Sequence, residues 1–178
     1  PESCNTNNML KLTEDLFAQT PHRKYGDFYE MAMFNHILST QHPETGGYVY
    51  FTSLRPQHYR MYSQVNQGMW CCVGTGMENH SKYGHFIYTR DADKTLYVNL
   101  FTASKLENKD FVITQETKYP YEQQTKLTVG KSGEYTIAIR KPWWTTNDFS
   151  VSVNGAKVSM DSQKNGYVLV SRTWQEGD

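Results

Sequence analysis

Near Asp91 the chain changes its hydrophobic period, and this change narrows the fold more than any other feature. Beyond it, TLYVNLF, FVITQET, TKLTVG, EYTIAIR, FSVSVNG and GYVLVSR alternate apolar and polar residues over short spans. Successive side chains of a strand point to opposite faces, so a period of two marks strands with one buried face. VGKSGE, VNGAK and SQKNG separate the runs with turn-forming residues. Strands this short and this closely spaced predict an antiparallel β-sandwich.

Before Asp91 the spacing is helical. Met9, Leu10, Leu12, Leu16 and Phe17 recur after the polar stretch CNTNN, which suits a helix start, and Pro21 with His22 breaks the pattern. A second helix is expected from Arg23 to Thr40. HPETGG reads as a turn, YVYFTSL as a short strand or extended segment, and GMENHSKYGHFIY as a third helix or part of one. The reading is an α+β chain in two parts, a helical part over 1–91 and a β-sandwich over 92–178.

Lys plus Arg number 18 and equal Asp plus Glu, with no basic run, which argues against nucleic acid as the partner. No apolar stretch approaches membrane-spanning length. Aromatic residues reach 14 %, with 13 tyrosines, a mix that either fills a core or stacks on sugar faces. Pro1 is not a natural initiator, and the first residues already read as part of a folded body, so the sequence is expected to belong to a longer chain.

Three cysteines, an odd count, do not suggest a disulfide scaffold. Cys71 and Cys72 are adjacent, and a bond between neighbours is strained against disulfide geometry. Cys4 follows Glu2 by two positions, so in an extended segment both side chains face one side. Glu2, Cys4, Cys71 and Cys72 together offer three sulfurs and an oxygen, a set that suits tetrahedral zinc. Adjacent cysteines reach one ion only if the backbone turns sharply, and VGTG after them is read as supplying that freedom. Three unligated, buried cysteines remain the alternative.

Glu30 shares a helical stripe with Met33, Phe34 and Ile37, where burying a carboxylate is costly unless it is paired. It either bonds a neighbour or faces a ligand pocket. His36 and His80 are read as structural residues, and Trp143 with Trp144 as core or interface residues in preference to sugar platforms.

PESCNTNNMLKL, YEMAMFNHILSTQHPETGGYVYFTSLRP and WCCVGTGMENHSKYG together resemble the bacterial β-L-arabinofuranosidases of glycoside hydrolase family 127 and the related family 146. The resemblance implies that 1–91 is the C-terminal portion of an (α/α)6 catalytic barrel and that 92–178 is a β-sandwich domain. It implies zinc held by Glu2, Cys4, Cys71 and Cys72, with Cys71 as the nucleophile of a retaining glycosidase. Glu30 and Tyr50 match positions that contact the sugar. The substrate implied is an arabinose-containing plant cell-wall glycan, and the source bacterial, whether periplasmic, secreted or cytoplasmic. The family's general acid lies upstream of the Glu-x-Cys motif, in a remainder of the polypeptide that would also complete the barrel, so this segment alone is expected to be inactive. Val73 and Gly74 stand where some members carry prolines. The competing function is a non-catalytic carbohydrate-binding or structural domain with a zinc site.

Overall fold

The computed structural model describes residues 1–146, 148–161 and 163–178. It divides into two compact units, Pro1–Pro21 with Asp27–Gly84, and His22–Gly26 with His85–Asp178. The architecture is mixed α+β.

The first unit is built on helix α1 (Ser3–Gln19), the later part of helix α2 (Arg23–Ala32) and helix α3 (Cys71–Ser81). On α1 the buried residues are Ser3, Asn7, Leu10, Thr13 and Phe17, spaced three or four apart as one helical face requires. Met9, Leu12 and Leu16, which share the apolar recurrence in the sequence, lie on the exposed side instead. α1 packs against α3. The Lys11 ammonium meets the Glu78 carboxylate at 2.9 Å across the two helices, an exposed pair worth little by itself.

The second helix runs to Thr40 as its sequence predicts, but not as one α-helix. Its hydrogen bonding widens into a π-helical turn over Met33–Ile37 and tightens into a 3-10 turn over Leu38–Thr40. The Thr40 hydroxyl donates to the Ile37 carbonyl at 2.7 Å, which closes the helix end. His36 Nδ1 lies 2.8 Å from the Thr6 hydroxyl of α1, and burial holds the imidazole below its usual pKa, in keeping with a structural role.

Residues 41–70 form no regular element, yet they are pinned. Gln41 pairs with Tyr48, Val49 with Tyr62, and Glu2 with Phe51 as isolated bridges. The Thr52 amide donates to the Pro1 carbonyl at 2.9 Å, tying this segment to the start of α1.

α3 departs from the sequence reading. Trp70 is extended, with φ −76° and ψ 162°, and the helix begins at Cys71 itself. VGTG is therefore not a flexible turn but the body of the first helical turns. The physical reason lies in packing: a Cβ on Gly76 would sit 2.4 Å from the Tyr48 ring, so this glycine serves close approach and not backbone freedom.

The second unit holds ten strands among the described residues: β1 (Tyr88–Arg90), β2 (Thr95–Val98), β3 (Ser104–Glu107), β4 (Val112–Thr117), β5 (Thr125–Val129), β6 (Gly133–Arg140), β7 (Ser152–Val153), β8 (Ala156–Lys157), β9 (Gln163–Lys164) and β10 (Tyr167–Trp174). One sheet has the order β1-β2-β6-β10-β9, a second β3-β4-β5, and β7 pairs only with β8. Each of the six alternating runs contains a strand. β1, β3, β8 and β9 were not read from the sequence, being too short to show alternation. The pairing of β2 with β6 is parallel, where only antiparallel neighbours were expected. The expectation failed because alternation reports which face is buried, and not the direction of the neighbouring strand.

Leu96 and Val98 of β2, Ile113 of β4, Val129 of β5, Ile137 of β6 and Val170 of β10 share one apolar cluster, so both larger sheets feed a single core. Asn154-Gly155 and Asn165-Gly166 take positive φ at the two-residue turns before β8 and β10, the conformation that Asn-Gly hairpins require. Trp143 and Trp144 are not core residues, at 55 % and 42 % exposed, and Trp144 stacks on Tyr119.

Two helical glycines of α3 give opposite expectations. Nothing lies within 4 Å of a Cβ on Gly74, so Gly74→Ala should stabilise the chain by up to about 1 kcal/mol through helix propensity. Gly76→Ala should destabilise it by about 1–3 kcal/mol by forcing the Tyr48 ring aside. Urea unfolding of the two variants checks the sign of each.

Candidate metal centre

Cys4 is the second residue of α1, and Cys71 and Cys72 are the first two of α3. Because the two helices pack with these ends together, all three sulfurs lie within 4.8 Å of one another. Cys4 Sγ is 3.4 Å from Cys72 Sγ, which is 4.0 Å from Cys71 Sγ. None is in a disulfide. The first turn of a helix has amide hydrogens without intrahelical partners and carries the positive end of the macrodipole. Two such ends meet at this cluster.

The donor set fits a metal that prefers sulfur. Sulfurs bound at about 2.3 Å to a tetrahedral ion stand about 3.8 Å apart. The two spacings of 3.4 and 4.0 Å bracket that value, so the group needs only small shifts to hold an ion. Among the described residues this is the one cluster of cysteine, histidine and carboxylate groups found with that capacity.

The sequence-named residues fall differently around it. Cys71 is exposed and Cys72 fully buried. The Tyr50 hydroxyl lies 3.8 Å from Cys71 Sγ. This contact, with help from Cys4, pulls the Cys71 thiol below its usual pKa. The same contact, with the charge of Cys71 and then of Glu2, pushes Tyr50 up to about 12. Burial pushes Cys72 up to about 11. Glu2 sits at the N-cap of α1, and its carboxylate stands outside the sulfur group. Glu30 is buried in α2 and is likewise not part of the group. His80 is turned to other work: its Nδ1 lies 2.9 Å from the Tyr83 hydroxyl and its ring packs by Tyr48.

Thr75 was not read from the sequence. Its Oγ1 is 3.0 Å from Cys4 Sγ and donates to the Cys71 carbonyl at 3.0 Å. The signal was four-residue spacing from Cys71, meaningful only once the helix is known to start at the cysteines. Trp70 was missed as well. Its ring meets the Tyr50 ring edge-on at 5.9 Å and helps to place the hydroxyl beside Cys71.

A family model described as beta-L-arabinofuranosidase, GH127 catalytic domain, matches residues 1–85. A second, for the GH127 middle domain, matches residues 95–178. A solved GH127 beta-L-arabinofuranosidase from Geobacillus stearothermophilus T6 is 26 % identical with a TM-score of 0.82, over 99 % of this chain and 30 % of that one. A solved glycoside hydrolase is 25 % identical with the same TM-score, over 99 % of this chain and 31 % of its own. A solved GH127 beta-arabinofuranosidase at 23 % identity, also with a TM-score of 0.82, shares the fold. No curated protein matches the chain. The chain thus spans under a third of the length of these solved relatives. The matches define the class, the glycoside hydrolases. Within that class the chain belongs to family 127.

The unequal exposure of the adjacent cysteines has a direct readout. In metal-free protein, iodoacetamide should label Cys71 well before Cys72, as followed by peptide mass spectrometry over time. Equal labelling under native conditions would contradict the burial of Cys72.

Proposed function

We propose that this chain carries the nucleophile and metal site of a retaining β-L-arabinofuranosidase acting on plant-derived glycans. One observation carries the reading: an exposed cysteine, Cys71, stands in a cluster of three sulfurs with a tyrosine hydroxyl 3.8 Å away. Cys4, Cys71 and Cys72 would hold zinc, with Glu2 as the fourth ligand. The charge of Glu2 already acts on Tyr50 beside Cys71. Zinc bound there supplies a deprotonated sulfur at neutral pH.

Cys71, the exposed member, takes the role of nucleophile. Its sulfur attacks the anomeric carbon as the glycosidic carbon–oxygen bond breaks, and the leaving oxygen takes a proton from a general acid outside this chain. Water then displaces the sulfur, and two inversions leave the configuration retained. Tyr50 and the buried Glu30 are proposed to contact the sugar hydroxyls. In this reading residues 1–91 are the C-terminal portion of an (α/α)6 barrel and 92–178 a β-sandwich. The exposed Met9, Leu12 and Leu16 on α1, with Phe28 and Met31 on α2, are the surface that the remaining barrel helices cover. The short span relative to the solved relatives supports this completion by further polypeptide.

Treatment of the longer polypeptide with an electrophilic arabinofuranose mimic, followed by peptide mass spectrometry, is the test. Label on Cys71 alone is expected, and Cys71→Ser should lower turnover of a β-L-arabinofuranoside at least about 10³-fold, as expected when a covalent nucleophile is removed. Label on Cys72 or on a carboxylate would overturn the assignment.

A further inference from the structure

Thr75 stands at the sulfur cluster without a role in the reading above, and its hydroxyl poses a problem of hydrogen counting. Its Oγ1 lies 3.0 Å from two groups at once, Cys4 Sγ and the Cys71 carbonyl. A hydroxyl has one hydrogen to donate. Where Cys4 keeps its thiol hydrogen, the Thr75 hydrogen goes to the carbonyl. The contact with Cys4 is then made by the Cys4 thiol hydrogen, with Thr75 accepting.

A cysteine that ligates a metal has lost that hydrogen. Its sulfur can then only accept, so the 3.0 Å contact survives only if Thr75 turns its own hydrogen from the carbonyl to the sulfur. The turn leaves nothing unpaired. The Cys71 carbonyl is four residues before Thr75 in α3, where the helix itself directs the Thr75 backbone amide at it. Rotation about one side-chain bond thus exchanges a redundant hydrogen bond for one to a ligand.

We propose that Thr75 is a positioning residue that holds the Cys4 sulfur in the metal-bound state by donating its hydroxyl hydrogen to it. The proposal rests on the metal reading above. The two outer sulfurs then each have a hydroxyl, Thr75 for Cys4 and Tyr50 for Cys71, while Cys72 meets the other two sulfurs. A donor fixed on a helix orients a ligand more tightly than one on a loop. Thr75 is on α3, whereas Tyr50 lies in the segment without regular structure. Thr75 thereby favours Cys4 as a permanent ligand and leaves Cys71 as the sulfur free to do other chemistry.

The test compares Thr75→Val, which keeps the shape and removes the hydroxyl, with Thr75→Ser, which keeps the hydroxyl. Zinc affinity is measured by competition with a chromophoric chelator on the purified longer polypeptide, and the sulfur-to-metal charge-transfer band is read after cobalt(II) replacement. Thr75→Val should weaken zinc binding about 10-fold or more, the usual effect of losing a partner behind a ligand, and should shift the band. Thr75→Ser should restore both. If Thr75→Val does not fold by circular dichroism, Thr75→Ala carries the same comparison. A Val or Ala variant with wild-type affinity and an unshifted band overturns this inference and leaves the metal reading intact. Wild-type longer polypeptide that takes up no zinc overturns the metal reading itself, and this inference with it.

Discussion

The meeting of two helix starts is the constraint on which the site depends. α1 and α3 pack so that their first turns face each other, and that packing alone brings Cys4 to residues 67 and 68 positions later in the chain. Free amide hydrogens and two positive dipole ends converge on three sulfurs. The result is three sulfurs within 4.8 Å of one another, a group that could hold a metal ion. The adjacent placement of Cys71 and Cys72 also follows. At the first two positions of a helix, neighbouring side chains diverge by about 100°, which lets one sulfur face solvent while the next is buried.

The second unit depends on a different constraint, a buried polar junction. Arg140, at the end of β6, is fully buried and donates from Nε to the Asn99 carbonyl at 2.6 Å. Asn99 is also fully buried; its side chain accepts from the Tyr167 hydroxyl at 2.8 Å and donates to Thr89 at 3.0 Å. These bonds join β1, β6, β10 and the segment after β2. A guanidinium without water must have its hydrogens directed, so the junction specifies how those strands stand together. Gly26 is part of the same junction, since a Cβ there would lie 2.6 Å from the Arg140 side chain.

Much of this was legible beforehand. Period-two alternation located a strand in each of six runs, because a strand with one wet face must alternate. Asn-Gly pairs located two hairpin turns, because those residues tolerate positive φ. The helical span 23–40 was legible as well, although not its π-helical turn, which packs against α1. The sequence misled at VGTG. Two glycines in a row of four read as a flexible turn, but one of them admits the Tyr48 ring against a regular helix. Of the core or interface role read for Trp143 and Trp144, the exposure of both side chains removes the core.

The sequence by itself determined the two-part α+β character, the strand-bearing runs, the donor residue types and the family resemblance, because periodicity and motif spacing are local properties. Only the tertiary structure decided that Cys4 reaches Cys71 and Cys72, that Cys71 and not Cys72 is exposed, and that the Tyr50 and Thr75 hydroxyls attend the two outer sulfurs. It alone decided too that β6 accepts a parallel neighbour in β2. The physical reason is the same in each case. These relations join residues far apart in the chain, and their energies come from burial and close packing, which no local pattern of residues records.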